Sequence, residues 1–378
     1  MASFNESIKN FNNRYYRFFL KVALYPKWMG YQNLRFKQSY LPAIHKYSKE
    51  SKSLPIIIFE IIKLTLKFRC LPYHYFRYAL YRRQFSFVDV SKFYPETLFY
   101  YKILPKINNN YVLLDDKNIF ESMIKGSGLR YAQTVLKKKN GCVYDQHGNR
   151  IVRQSQLQNT LDLIGHTVIF CKPASYSSGG KGIFTIQKQE LSWLNEENRI
   201  FDLEFLQTEM HGDWILQLPL ENAKEIARIH NDSVNSFRVL TVFRPDGGSK
   251  VIYVSLKLGT SDTITDNAHT GGLYVGVDHQ TGQLLGRGYD EDLNEYDMHP
   301  VSKIPFKDIR ISRVSEIVEY ANRAAGLFSD LTIVGWDIAL CDDGPYFLEG
   351  NSSSGLTIYQ RPFKGLQKLM DEIKDLIK

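Results

Sequence analysis

Gly335-Trp-Asp-Ile-Ala-Leu-Cys-Asp-Asp-Gly-Pro-Tyr-Phe-Leu-Glu-Gly-Asn351 is the stretch that decides the fold. It reads as two short apolar strands around an Asp342-Asp343-Gly344 turn. With Asp343 at the centre of the hairpin, Asp337 falls opposite Glu349, Ile338 opposite Leu348, and Leu340 opposite Tyr346. Side chains alternate faces along a strand, so Ile338, Leu340, Tyr346 and Leu348 are predicted on the core face. Asp337, Glu349 and Asn351 share the other face. Two carboxylates directly across a ladder repel each other, and a cation between them removes that penalty. Three hard oxygen ligands, with positions left for water and phosphate, suit Mg2+. The plainer alternative is a solvated acidic face on an ordinary hairpin. Amide replacement of either carboxylate relieves the repulsion, so it is expected to leave stability nearly unchanged.

A second element lies upstream. Thr167–Lys172 reads as a strand ending in Lys-Pro, Tyr176-Ser-Ser-Gly-Gly-Lys-Gly182 as a flexible tip, and Ile183–Ile186 as the returning strand. A Walker A loop would need Gly-x-x-x-x-Gly-Lys-Ser/Thr followed by a helix; here a strand follows. Glycines let backbone N–H groups turn toward an anion, and Lys172 and Lys181 add charge. The tip, with Ser178, Gly179 and Gly180, is therefore a candidate phosphate flap rather than a plain solvated hairpin loop. A protein kinase also pairs a glycine loop with a strand lysine, but in the opposite order, and it needs His-Arg-Asp and Asp-Phe-Gly, both missing from this sequence.

Between and beyond these lie supporting elements. Tyr111–Leu114 is expected to be a short strand, and Asp115-Asp116-Lys117 to open a helix to about Lys125, acids first as the helix dipole favours. Trp214–Leu220 reads as a strand and Glu221–His230 as a short helix. Two strands follow, Phe237–Phe243 and Val251–Leu258. In the second, Ile252, Val254, Leu256 and Leu258 face one way, and Tyr253, Ser255 and Lys257 the other. Arg238 carries a planar fork suited to a carboxylate or phosphate. Asp266-Asn267-Ala-His-Thr-Gly-Gly272 is a polar, glycine-ended loop.

Asn235-Ser-Phe-Arg-Val-Leu-Thr241, Asp266-Asn-x-x-x-Gly-Gly272, Gly335-Trp-Asp-Ile-Ala339 and Leu348-Glu-Gly-Asn351 together resemble the sugar-transfer-associated branch of the ATP-grasp superfamily, over about residues 110–365. The resemblance implies an α+β ATP-grasp fold, with a flap subdomain at about 140–215 and a C-terminal subdomain around an ATP cleft. It implies ATP and Mg2+ as cofactors. Asp337, Glu349 and Asn351 would hold the metal. Lys117, Lys172, Ser178, Gly179, Gly180 and Lys181 would meet the phosphates, Gln217 the adenine and Glu221 the ribose. Arg238, Lys257 and Asn267 would face the transferring phosphoryl group and the acceptor carboxylate. Lys257 stands where an Arg is expected, which keeps the charge and loses the fork. The implied activity is carboxylate–amine ligation through an acylphosphate, joining an amino acid or amine to a sugar acid in surface (capsular) polysaccharide assembly. A small-molecule kinase on the same fold, or a non-catalytic nucleotide-binding partner of a glycosyltransferase, is the alternative.

Composition sets the frame. The chain has 378 residues, 43% hydrophobic and 23% charged, which is a globular profile with room for two or three domains. Its four cysteines are scattered without metal-like spacing, in keeping with a reducing cytosol. Met1–Asn10 lacks the apolar segment of a signal peptide, and no run reaches the length of a membrane span. The expected location is cytoplasmic. The net charge of +8 is uneven: residues 1–100 carry 17 Lys and Arg against 5 Asp and Glu, and 25 of the 51 aromatic residues. Phe11–Tyr25 and Pro55–Arg69 read as amphipathic helices, the second broken by Pro72. Residues 1–105 are therefore expected to form a basic, aromatic, mostly helical region ahead of a catalytic domain at 106–378. Its plain role is packing. Peripheral contact with the inner face of a membrane comes second. No nucleic-acid-binding motif is present, so no nucleic acid is expected as partner.

Overall fold

The computed structural model describes residues 47–108, 110, 112–175, 182–260, 266, 271–292 and 294–377. The expected helix at Phe11–Tyr25, the flap tip with Ser178, Gly179, Gly180 and Lys181, and Asn267 lie outside the described residues. The chain divides into two compact units, Met1–Pro95 and Glu96–Lys378.

In the first unit the main element is α1, Leu54–Phe68, with Pro55 in its first turn and Arg69 in the left-handed conformation closing it. Proline costs nothing where the N–H groups have no helical partner, and the left-handed cap stops the helix. α1 buries Glu60, Leu64 and Phe68. Glu60 is buried because it is satisfied: Lys52 Nζ donates to both carboxylate oxygens at 2.7 and 2.8 Å, and Tyr75 Oη donates at 2.6 Å. Among the described residues, no helix is long and apolar enough to cross a membrane.

The second unit holds two seven-stranded antiparallel sheets. The first contains β1 (Thr134–Lys139), β2 (Cys142–Asp145), β3 (Arg150–Ile151), β4 (Val168–Pro173), β5 (Phe184–Gln189), β6 (Ser192–Asn195) and β7 (Trp214–Gln217), in the order β3-β2-β1-β7-β4-β5-β6. Two helices, α3 (Gln154–Asp162) and α4 (Leu203–Thr208), supply Leu157, Leu161, Phe205 and Leu206 to a core with Ile169, Cys171, Ile186 and Leu216. Alternation along β4 leaves Phe170 and Lys172 on the opposite face, beside Gln217 and Ile215 of β7 in register.

The second sheet runs β12-β11-β10-β9-β8-β13-β14, built from β8 (Ser236–Phe243), β9 (Ser249–Leu258), β10 (Leu273–Val277), β11 (Leu284–Tyr289), β12 (Glu295–Tyr296), β13 (Ile333–Cys341) and β14 (Gly344–Asn351). One face packs on helix α5 (Val314–Leu327) through Ile317, Ala321, Ala324 and Ala325 against Val239, Val254, Trp336 and Ile338. The other face carries Asp337, Arg238 and Ser255, which are neighbours across β13, β8 and β9. Residues 356–363 cover part of that face: Tyr253 stacks on Tyr359, and Ser255 Oγ donates to Ile358 O.

Four expectations need correction. Asp337 does pair with Glu349, but Ile338 pairs with Phe347 and Ala339 with Tyr346. A β-bulge leaves Leu348 without an opposite residue, which flips the face between positions 347 and 349. Phe347 therefore enters the core, while Tyr346 and Leu348 are only half-buried. A second irregularity skips Ile252, so Val251 rather than Ile252 joins the core beside Val254. Finally, Val112–Asp115 is a helical turn, not a strand. It leads directly into α2 (Lys117–Ile124), where the Asp116 carboxylate caps the helix by accepting from Asn118 N at 2.8 Å. At 221–230 only Lys224–Ala227 is helical.

Candidate active-site cleft

The polar face of the second sheet carries a chain of opposite charges. Arg238 and Asp337 sit opposite each other in register, and the guanidinium donates through Nε to one carboxylate oxygen and through Nη2 to the other at 2.8 Å. Lys257 Nζ adds a contact to Asp337 at 3.2 Å and lies 3.4 Å from Asp266. Asp266 accepts from Ser236 N at 2.8 Å and from Ser236 Oγ at 2.5 Å. Burial works to raise the Asp337 carboxyl, but the charges of Arg238 and Lys257 outweigh it and hold it below the usual carboxylate range. Burial likewise works to deprotonate Lys257, and Asp266 and Asp337 reverse this and keep it charged.

Glu349 lies across the ladder from Asp337 and is half-buried. Lys117 at the start of α2 brings its Nζ to 3.8 Å from Glu349. Lys117 N donates to Ala174 O at 2.9 Å, which ties that helix start to the end of β4. Lys172 projects from β4, and burial depresses it to about 8, partly opposed by the Glu349 charge and assisted by Lys117. The start of α2 thus touches both the end of β4, through Ala174 O, and β14, through Glu349, so the polar faces of the two sheets look onto one cleft. Lysines from the first sheet and from α2 thus converge on a carboxylate of the second. Such a cluster suits a polyanion.

Gln217 is buried in the first sheet. Its Nε2 donates to Ala132 O at 3.0 Å and Thr134 Oγ1 at 3.3 Å, while its buried Oε1 has no partner among the described residues. A buried acceptor without a donor is costly, and an amino group of a bound base would satisfy it. Glu221 is exposed on the connection that follows β7.

The fit to a divalent cation is narrower than the sequence suggests. The repulsion between Asp337 and Glu349 is already relieved by fixed cations, Arg238 and Lys257 on one side and Lys117 on the other. Arg238 and Lys257 occupy three of the roughly four acceptor positions of the Asp337 carboxylate. Glu349 and Asn351 remain oxygen donors at the cleft; Asn351 Nδ2 donates to Gly335 O and Glu349 Oε1, both at 3.4 Å, which leaves its carbonyl oxygen for a cation. Among the described residues no three His, Cys, Asp or Glu side chains are grouped to hold a metal ion. The set that fits is Glu349 and Asn351, with one edge of Asp337 and phosphate oxygens completing it.

Asp266 and Ser236 belong to this constellation and were not singled out from the sequence. The signal was present, since Asp266 directly precedes Asn267 in the polar loop.

Residues 99–375 match the family model described as sugar-transfer associated ATP-grasp. No curated protein matches the chain. Similar solved structures include an ADP complex of N5-carboxyaminoimidazole ribonucleotide synthetase, at 12% identity and TM-score 0.38, over 65% of this chain and 46% of that one. Another is the D-alanine–D-alanine ligase from Bacillus anthracis, at 12% identity and TM-score 0.38, over 70% and 67%. A third is the VanG D-Ala:D-Ser ligase from Enterococcus faecalis, at 13% and 0.39, over 70% and 62%. The match thus spans less than half the length of the synthetase.

Proposed function

Because the chain belongs to the sugar-transfer associated ATP-grasp family, we propose that it is an ATP- and Mg2+-dependent carboxylate–amine ligase. In this reading a substrate carboxylate oxygen attacks the γ-phosphorus of ATP, giving an acylphosphate and releasing ADP. An amine then attacks the acyl carbon, and phosphate leaves. The observation that carries the reading is the convergence of Lys172, Lys117, Lys257 and Arg238 on the two carboxylates Asp337 and Glu349 in one cleft. These groups position and neutralise charge, which is most of what phosphoryl transfer asks of a protein.

The same reading assigns the roles. Lys172 and Lys117 hold the phosphates, and the flap of about residues 140–215, with Ser178, Gly179, Gly180 and Lys181 at its tip, closes over them. Gln217 meets the adenine and Glu221 the ribose. Bound Mg2+ supplies charge neutralisation at the phosphates and is held by Glu349, Asn351 and an edge of Asp337. Arg238, Lys257 and Asn267 face the acceptor carboxylate and the transferred phosphoryl group. None of the residues placed here is a covalent nucleophile. The acceptor is a sugar acid and the amine an amino acid, in assembly of a surface polysaccharide, with the protein in the cytoplasm and its basic first hundred residues in contact with the membrane.

The test is an ADP-release screen of amino acids against sugar acids and nucleotide sugars, with mass detection. ADP release that requires both an acid and an amine, with an amide product, supports the ligase. ADP release without an amine and a phosphorylated hydroxyl product would make it a kinase. Binding of ATP with no ADP release under any pairing would leave a non-catalytic nucleotide-binding partner, and failure to bind ATP or ADP at all would overturn the nucleotide site.

A further inference from the structure

α1 presents two apolar faces, and only one is buried among the described residues. Glu60, Leu64 and Phe68 point into their unit. Leu54, Ile58, Phe59, Ile62 and Leu66 point outward, with Leu66 72% and Leu54 68% exposed. At 100° per residue these five fall on one arc. Lys63 follows along one edge of it, while Lys67, further round, turns back and donates through Nζ to Ser91 O at 2.6 Å. Lys63 Nζ lies 5.2 Å from the Phe59 ring, as a lysine does when its stem lies along an apolar surface. Ile56, Leu71 and Val88 extend the exposed apolar surface of the same unit. Isolated exposed apolar side chains are ordinary, but a contiguous helical stripe marks an interaction surface.

Charge decides what covers it. Among the described residues 47–95 there are nine Lys and Arg against three Asp and Glu, and the one acid of α1, Glu60, is buried and paired. A second copy of the chain seated face to face about a two-fold axis would bring the lysine edge against its own equivalent. Residues 1–46 hold eight Lys and Arg against one acid, so they are no better matched. An anionic lipid surface complements the lysines and accepts the apolar arc. At 15 residues α1 is too short to span a bilayer and suits lying in its interface.

We propose that α1 is the bilayer-inserting element of this protein: its Leu54–Ile58–Phe59–Ile62–Leu66 arc enters the headgroup and upper acyl region of an anionic lipid surface, with Lys63 along the rim. The inference rests on the membrane-contact reading above and is independent of the ligase chemistry.

The experiment is co-sedimentation of the full chain with phosphatidylcholine vesicles, with and without phosphatidylglycerol, at low and high salt. The wild type binds the anionic vesicles, and Phe59→Ser/Ile62→Ser/Leu66→Ser lowers partitioning by roughly tenfold or more, since three side chains lose their apolar contact. An Ile62→Trp variant is quenched by brominated lipid beyond the wild-type background. Salt-sensitive binding that the triple substitution leaves unchanged, with no added quenching in the Ile62→Trp variant, overturns insertion by α1 while leaving the membrane reading in place. No binding of the wild type to either vesicle overturns both. A concentration-dependent dimer abolished by the triple substitution assigns the face to a second copy and overturns the proposal. Binding that responds to the triple substitution only after deletion of residues 1–46 assigns the face to the chain's own N-terminal segment and overturns it too.

Discussion

At the scale of the residue, the buried Asp337 holds two cations, half-buried Arg238 through both carboxylate oxygens and buried Lys257 through one. Asp337→Asn removes the charge that both need, so it is expected to cost about 3–5 kcal/mol, as breaking a buried pair does. Glu349→Gln, at a half-buried cleft position, should stay within about 0.5 kcal/mol. Urea unfolding of the two variants checks this, and equal small losses would mean that Arg238 and Lys257 re-pair without Asp337. For Asp337 this departs from the expectation from sequence, where both acids appeared dispensable for stability; for Glu349 it does not. The cross-strand pairing of Asp337 and Glu349 was legible because both lie in one hairpin. The partner of Asp337 was not, because Arg238 lies 99 positions earlier and only the sheet brings them together. Lys172 carries a second prediction. Its folded value of about 8 lies below the unfolded 10.5, so its positive charge costs stability below about pH 8, and that cost is relieved as pH rises from 8 toward 10.5. Phosphate binding runs the other way, because it needs the charged form. ADP affinity measured by calorimetry should therefore fall as pH rises through about 8 to 9, and Lys172→Arg should flatten the profile. A wild-type profile flat over that range would remove Lys172 from the phosphate site.

At the scale of the element, β14 is where the sequence was read half correctly. Strict alternation predicted Tyr346 and Leu348 in the core. The bulge at Leu348 lets Phe347 take that place while Glu349 still faces the cleft. A bulge leaves little trace in a hydrophobic pattern, because one skipped residue looks like a register error. Gly350 helps to hold this arrangement. A Cβ there would lie 2.9 Å from Trp336 Cζ3 and 2.9 Å from Leu114 Cδ2, both core atoms. Gly350→Ala is expected to cost about 1–3 kcal/mol by overpacking. It should also weaken ADP binding, since the strand that carries Glu349 and Asn351 is pushed away from Leu114 and the segment leading to Lys117. A variant as stable as wild type by urea midpoint would show that the Leu114 side chain moves aside freely. The helical turn at Val112–Asp115 was missed for a related reason: four residues hold too little periodicity to separate a strand from one turn of helix.

At the scale of the whole molecule, each sheet of the second unit has its own core, and the described site residues all lie between Lys117 and Asn351. The fold class was legible because its parts are local: a hairpin with acids, a Lys-Pro strand before a glycine-rich tip, and strands with alternating faces. The cleft between the two sheets was expected from the family resemblance alone, because the contacts that close it are long-range, such as Lys117 N with Ala174 O after β4 and Lys117 Nζ with Glu349 of β14. Unit boundaries give the last prediction. Glu96–Lys378 contains both cores, and the family model begins at residue 99. A protein comprising residues 96–378 should fold as a cooperative unit. It should bind ADP within about threefold of the full chain, a difference of less than about 1 kcal/mol, and ADP should raise its melting temperature as binding to the native state requires. The same protein should lose sedimentation with anionic vesicles, because α1 and the basic charge that surrounds it are gone. Calorimetric unfolding, ADP titration and vesicle binding on the two proteins measure these separately. A truncated protein that folds but binds ADP more than about tenfold weaker would place part of the nucleotide site in residues 1–95. One that keeps its vesicle binding would move the lipid contact into the catalytic unit, where the polar face between the sheets would have to be reconsidered as the surface that meets the membrane.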